Sequence, residues 1–369
     1  MTTRKCISWI FFPLTMWYAI AIFFRNLAFA TGIFKQETAH ITTIGVGNLT
    51  TGGSGKTPHV AYLLELLGKD YNTALLSRGY RRKTKGYVLA TQENSKTHHI
   101  GDEPSMIKKR YPHVEVAVCE KRVQGIQKLT QKHRNLNLIV MDDVYQHRYI
   151  KPTINILLTE YDKPYSNDHI LPYGDLREFK SAHDRASIII ITKSPQRINP
   201  IEKYNLISSL KIKPYQKVYF SYYEYGNPIS LKGDTAIELK EINHAVVVTG
   251  IAHPTPLLEH LQGKGCPTTH IKYDDHHSYT IKDIKRIEQA LGKCGEHSVI
   301  ITTEKDAVKM NEILTDETLS KLPIYYIPIK VKFHDNNEHE FNKCIRDLVH
   351  ENISFLEKLK TSSLLSYKF

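Results

Sequence analysis

Cysteine is scarce and scattered: Cys6, Cys119, Cys266, Cys294 and Cys344 are the five in 369 residues, and no two stand in a Cys-x-x-Cys spacing. Neither a disulfide framework nor a zinc site is expected, and a reducing compartment fits best. Internal repeats and low-complexity stretches are missing, which removes repeat architectures. Acidic residues are outnumbered, 38 against 50 Lys and Arg, for a formal net charge of +12. That surplus favours an anionic partner, whether nucleic acid, an acidic membrane surface or a phosphorylated substrate. No basic-aromatic stripe accompanies it, so nucleic acid is not an expected partner, and no protein partner is predicted. The 41% apolar content is enough for a core in each of two domains.

Charge is also missing from Cys6 to Phe24, a run rich in Phe, Ile and Trp between Arg4-Lys5 and Arg25. As a helix this run extends about 28 Å, just enough for a bilayer core. A cleaved signal peptide, a buried core helix and a membrane-associated helix, spanning or partly immersed and bent at Pro13, all remain open. The membrane-associated helix is favoured, because Arg25 stands where a cleavage region would be neutral.

Further along, the chain becomes glycine-rich. Gly52-Gly53-Ser54-Gly55-Lys56-Thr57 comes after the β-branched run Ile41 to Val46 and before Val60, Leu63, Leu64 and Leu67, which recur at helical spacing. Pro58 falls in the first helical turn, where a missing N–H is harmless. Strand, glycine loop, Lys-Thr and helix are the setting of a phosphate-binding loop. Its backbone N–H groups and helix dipole face phosphate oxygens, Lys56 reaches the β- and γ-phosphates, and the Thr57 hydroxyl ligates Mg²⁺. The strict pattern asks for Gly where Thr50 stands. Thr50, Thr51, Gly52, Gly53, Ser54, Gly55, Lys56 and Thr57 are the expected nucleotide-binding residues. Guanine specificity needs Asn/Thr-Lys-x-Asp after a strand; Thr192-Lys193-Ser194-Pro195 lacks the Asp and Thr303-Glu304-Lys305-Asp306 has the wrong order. ATP is therefore the expected nucleotide.

Short apolar runs at Thr73–Ser77, Val114–Val118, Leu138–Met141, Ile154–Leu158 and Ile188–Thr192 alternate with helical patterns, as in an open parallel sheet covered on both faces. The alternating aromatic stretch Tyr215 to Tyr225 reads as an antiparallel ribbon or a connector. A second α/β unit starts at Ala245–Val248, with helices near Pro256–Leu261 and Ile281–Leu291, a strand at Val299–Thr302 and a terminal helix from Glu338. The expected fold is α/β: a P-loop NTPase-type doubly wound parallel sheet, a second, smaller α/β domain and an N-terminal membrane-associated helix. The expected limits are 1–35 for that helix, 36–225 for the P-loop domain and 226–369 for a second domain closing over the active site.

Several groups can carry chemistry. Leu138–Met141 ends in Asp142 and Asp143, where a P-loop protein places the acid of its Mg²⁺ shell; Asp142 is the expected metal residue. Asp102 opens a helix and is either a helix cap or a general base. Arg177, like Arg78, is either a surface ion-pair residue or a neutraliser of phosphoryl charge. Adjacent His276 and His277 are poor joint metal ligands, but one of them can assist an acid across a cleft.

As an ordered set these motifs resemble a known family. Val46–Thr50, Gly52–Pro58, Leu76–Tyr80, Gly101–Pro104, Asp142-Asp143 with Gln146-His147, Leu176–Glu178, Asp275–His277 and Thr303–Lys309 resemble the tetraacyldisaccharide 4′-kinases, the lipid A 4′-kinases. The resemblance covers about residues 40 to 310, together with the N-terminal apolar segment. It implies an inner-membrane enzyme, facing the cytoplasm, that transfers the ATP γ-phosphoryl group to the 4′-hydroxyl of an acylated glucosamine disaccharide 1-phosphate. It also implies Asp102 as base with His276 rather than His277, Asp142 and Asp143 as Mg²⁺ and active-site acids, Arg177 as a charge stabiliser, and tolerance of Thr50; phosphoryl chemistry adds Lys56 as a second charge neutraliser. A P-loop ATPase switch, or a nucleic-acid-stimulated ATPase, is the alternative.

Overall fold

The computed structural model describes residues 12–366 except 234, 335 and 336. The first 11 residues of the expected 1–35 segment lie outside the described residues. Before residue 226 the chain forms strands β1 (Glu37–Thr38), β2 (Thr42–Asn48), β3 (Thr73–Ser77), β4 (Val88–Leu89), β5 (Glu115–Val118), β6 (Leu138–Asp142), β7 (Ile150–Lys151), β8 (Ile154–Glu160), β9 (Ile188–Thr192) and β10 (Lys217–Tyr225). After it come β11 (Ile229–Ser230), β12 (His244–Thr249), β13 (Thr268–Lys272), β14 (Ser298–Thr303), β15 (Ile324–Ile327) and β16 (Ile329–Phe333).

The large sheet has the order β16-β10-β9-β8-β2-β6-β3-β5-β4. From β10 to β5 every pairing is parallel, and each edge is closed by an antiparallel strand, β16 or β4. Strands β2, β3, β6 and β9 are buried along their whole length, which is why they read as apolar runs without alternation. One face packs on the helices Lys56–Leu67, Asp102–Arg110 and Asn337–Ser366 through Leu64, Ile107, Phe341 and Ile345. The other face meets the helix Arg122–Lys132 through Ile126 and Leu129.

The stretch expected as a ribbon or connector is both a core strand and half of a ribbon. Strand β10 pairs parallel with β9 at Lys217–Phe220 and antiparallel with β16 at Ser221–Tyr225. Its alternation lets Phe220 join one core and Tyr219 the other.

The smaller sheet, β11-β15-β14-β12-β13, is the second α/β unit. The expected second domain of 226–369 is too long, however. Strand β16 and the terminal helix return to the large sheet, where Val331, Phe333, Phe341, Ile345 and Val349 complete its core. Two strands, β10 leaving and β16 returning, thus join the units.

Strand β2 carries glycine where another chain segment comes close. A Cβ on Gly45 would stand 2.6 Å from Pro152, and one on Gly47 2.6 Å from the Tyr145 Cβ. These approaches seat the segment after β6, which carries Asp143 and Gln146, directly over the central strand. Gly47→Ala is expected to lower stability by roughly 1–3 kcal/mol through overpacking. A urea midpoint equal to that of the parent would show that this segment yields freely.

Candidate active site

The functional side chains gather at the carboxyl ends of the parallel strands, the usual crevice of an open α/β sheet. Strand β2 ends in Asn48 and runs into the glycine loop. Gly52 and Gly55 take φ of 105° and 84°, which L side chains adopt poorly. A Cβ on Gly52 or Gly53 would meet open space, whereas one on Gly55 would meet the Tyr223 hydroxyl. His59, one turn into the following helix, braces the loop. Its Nδ1 lies 2.7 Å from the Gly55 carbonyl and its Nε2 2.9 Å from the Ser221 hydroxyl. A carbonyl only accepts, so Nδ1 carries the proton; burial pushes this imidazole down to about 4 and keeps it neutral.

Lys56 extends back to Asn48 Oδ1 at 3.3 Å and to Asp143 Oδ1 at 3.4 Å. Arg177 reaches the same Asp143 oxygen at 3.3 Å. Of the two alternatives for Arg177, the structure places it inside the crevice rather than on an outer surface pair. Its loop is tied to the glycine loop: Arg177 N–H donates to the Leu49 carbonyl at 2.7 Å, and Thr51 N–H to the Asp175 carbonyl at 2.7 Å. Burial alone would raise the Asp143 carboxyl, but Lys56, Arg177 and Arg122 outweigh it and hold it below the usual range. Asp142, fully buried, goes the other way: burial first, then Glu103 and Asp143, push it up to about 7. Asp142 Oδ1 has no hydrogen-bond partner, and the Thr57 hydroxyl has none among the described residues. Hard oxygen donors left open beside a phosphate loop fit Mg²⁺, whose shell is oxygen. Arg78 has no carboxylate within 4.0 Å among the described residues, so it is not a surface ion-pair residue.

A second group forms where the smaller unit meets the large sheet. Asp102 is buried at the start of its helix, after Gly101 at φ 91°. Instead of capping that helix, its Oδ2 accepts from His276 Nδ1 at 2.7 Å. Lys305 and Lys309 each stand 3.6 Å from the same oxygen, and Lys305 Nζ lies 3.2 Å from His276 Nε2. An ammonium only donates, so Nε2 accepts and His276 carries its proton on Nδ1. His277 turns away, bonding Asp283 at 3.1 Å and stacking on Tyr273. Of the two histidines, it is His276 that bonds Asp102. Sequence reasoning assigned no role to Asn48, His59, Lys305 or Lys309. The i, i+4 spacing of the two lysines on one helix face was the available signal.

The apolar helix Phe12–Ala30 lies along the large domain beside this crevice. Its inward face is tied down by Thr15 to the Tyr173 N–H at 3.1 Å, Tyr18 to the Arg177 carbonyl at 3.2 Å, Arg25 to the Gln146 carbonyl, and Asn26 to Arg148 at 3.0 Å. The opposite face leaves Trp17 71% and Phe24 61% exposed.

A glycine loop before a helix, Lys-Thr at its end and an acid-terminated neighbouring strand define a P-loop nucleotide-binding enzyme. A model of the family tetraacyldisaccharide-1-P 4′-kinase matches residues 7–350. A tetraacyldisaccharide 4′-kinase of Bacteroides thetaiotaomicron is 39% identical over 94% of this chain and 94% of its own, and one of Phocaeicola vulgatus 41% over 94% and 96%. The crystal structure of LpxK from Aquifex aeolicus in complex with ATP superposes with a TM-score of 0.72 at 25% identity, covering 93% of this chain and 99% of that one. The chain belongs to the tetraacyldisaccharide-1-P 4′-kinase family.

Burial by itself would raise the Asp102 carboxyl; the His276 hydrogen bond, with Lys305 and Lys309, holds it well below the usual carboxylate range. A depressed carboxyl stabilises the fold above its ordinary pKa and loses that contribution as pH falls below about 4. Asp102→Asn should lack it, so parent and variant should differ by on the order of 1–3 kcal/mol at pH 6 and converge toward pH 2. A difference that does not change with pH would show that the ion pairing adds nothing.

Proposed function

We infer that this protein is an ATP-dependent kinase that phosphorylates the 4′-hydroxyl of a tetraacyldisaccharide 1-phosphate, a step in making lipid A. Membership of the family supports this over an ATPase switch or a nucleic-acid-stimulated ATPase. The observation that carries it is the Asp102–His276 pair, an ionised carboxylate held by the imidazole Nδ1–H where the smaller unit meets the large sheet.

In this reading Asp102 takes the proton of the attacking hydroxyl as the oxygen–phosphorus bond forms and the bond from the γ-phosphorus to ADP breaks. His276 orients Asp102, and Lys305 fixes the tautomer that lets it do so. Backbone N–H groups of 50–57 hold the phosphate chain, and Lys56 and Arg177 leave Asp143 for developing phosphoryl charge. Thr57 and Asp142 would hold Mg²⁺, which would supply neutralisation of the triphosphate charge. The smaller unit, which brings His276, closes over the site and excludes water.

The helix Phe12–Ala30 fits an interfacial role better than a crossing. It is apolar enough to span, but one face is bonded to the domain along its length, leaving the other for one leaflet. We place the domains on the cytoplasmic face of the inner membrane, where the ATP is and where the surplus positive charge favours an anionic leaflet. Trp17→Glu and Phe24→Glu should each weaken partition into anionic vesicles roughly tenfold. Undiminished partition of the double variant would remove the helix from the membrane contact.

Asp102→Asn should cut transfer from ATP to the lipid acceptor by roughly 10²–10⁴-fold while leaving ATP affinity within a few-fold. Full turnover in that variant would sink the assignment of the base, and no phosphorylated lipid from the parent protein would sink the function.

A further inference from the structure

Beneath the apolar helix lies a cationic cluster that nucleotide chemistry does not use. Arg25 comes from that helix, Arg148 from the segment after β6, and Arg185 from the turn before β9. They surround one fully buried carboxylate, Glu178, next to Arg177 in sequence. Arg185 sits 2.9 Å from Glu178 and neutralises it; Arg25 is more distant at 4.0 Å. Arg148 has no carboxylate within 4.0 Å among the described residues, and its Nε is buried without a partner.

Three guanidinium groups thus share one carboxylate, so the cluster keeps a net positive charge, and Arg25 and Arg148 are held still. Arg25 donates to the Gln146 carbonyl and Arg148 to Asn26 Oδ1, and both lie over the Phe29 ring, with Cζ 5.7 and 4.7 Å from its centroid. Burial, with Arg122, Arg25 and Arg78 around it, pushes neighbouring His147 down to about 4, so the imidazole adds no charge yet reports a positive field. Like charges gathered around one aromatic ring are costly unless an anion visits them, and guanidinium groups suit the oxygens of a phosphate. The position, at the foot of a helix whose outer face is apolar, suits a phosphate carried by a lipid.

We propose that Arg25 and Arg148, with Arg185 balancing the charge of Glu178 between them, form a second phosphate site that binds the phosphate monoester of a membrane-embedded lipid. Under the kinase reading above, on which this step rests, the monoester is the 1-phosphate of the acceptor. A phosphate-bearing lipid of the leaflet is the other source of the same chemistry.

The full-length protein tests it in two arms. In the first, KM is compared for the disaccharide 1-phosphate and for the same lipid with a free 1-hydroxyl. Arg148→Gln and Arg25→Gln should each reduce the preference for the phosphorylated acceptor roughly ten- to hundredfold, with Arg148→Lys recovering part of it. In the Arg148 variants, unchanged ATP KM and an unchanged thermal shift with ADP would separate this loss from misfolding. In the second arm, binding is measured to phosphatidylcholine vesicles containing phosphatidic acid, a monoester, or phosphatidylglycerol, a diester. A loss of monoester preference there, with acceptor preference intact, assigns the site to a leaflet lipid. This arm reads the site even if no disaccharide lipid is phosphorylated. Variants that keep both preferences overturn the proposal.

Discussion

A carboxylate buried at the junction of two sheets depends on the imidazole 2.7 Å away, and the relation of the two units follows from that dependence. Removing a carboxylate from water costs several kcal/mol unless hydrogen bonds and opposite charge replace the lost hydration. Among the described residues the large domain gives Asp102 neither; His276, Lys305 and Lys309 all come from the smaller unit. The smaller sheet is thus located by electrostatics at the same point where the chemistry is proposed to occur. Backbone detail supports the contact. The His276 N–H donates to the Gly250 carbonyl at 3.0 Å, and the Gly250 N–H donates to Asp306 at 2.9 Å. Asp306 in turn holds Lys309 at 3.3 Å, so the lysine that steadies Asp102 is itself steadied.

The second organising feature is charge balance in the crevice. Asp143 accepts Lys56 and Arg177, while Asp142, one residue away, is left with a buried oxygen lacking a partner. The strand ends at Asp142, and Asp143 turns away with a φ of 47°, so one acid can be paired while its neighbour stays open to a metal. Lys56 and Arg177 are consequently held near the position where phosphate would arrive, without being spent on a surface pair. Screening by salt is weak for partly buried pairs of this kind, so the arrangement is a property of the fold more than of the medium.

Much of this was legible in the sequence because the local chemistry is restrictive. The glycine loop could be located from its strand and helix, and Leu138–Met141 ended in acids where a metal-binding strand should. Strands Thr73–Ser77 and Ile188–Thr192 emerged with their limits unchanged, since doubly buried strands have no polar alternation to confuse the reading. Long-range pairing was not legible. Nothing local in Ile329–Phe333 says that it leaves the smaller sheet to pair with β10, so the sequence alone carries the second unit through to residue 369. The same limit applied to Asp102, where cap and base look alike until the residue 174 positions away is brought beside it. Lys305 and Lys309 were visible as a helical pair, but their target was not.

The docked helix bears on the crevice through the backbone. Tyr18 bonds the carbonyl of Arg177 and Arg25 bonds the carbonyl of Gln146. Gln146 in turn donates to the Asn48 carbonyl at 2.7 Å, and Asn48 Oδ1 receives Lys56. The links to Arg177, Gln146 and Asn48 fix main-chain positions, while the last, from Lys56 to Asn48 Oδ1, aims the lysine side chain. Confinement to a surface raises the local concentration of a lipid acceptor only if the site faces the right way. A flexible tether would give the concentration without the orientation. In the interfacial role proposed above, a helix bonded at four points along the domain would give both, because the plane of its exposed aromatic face and the direction of the strand ends are parts of one rigid body.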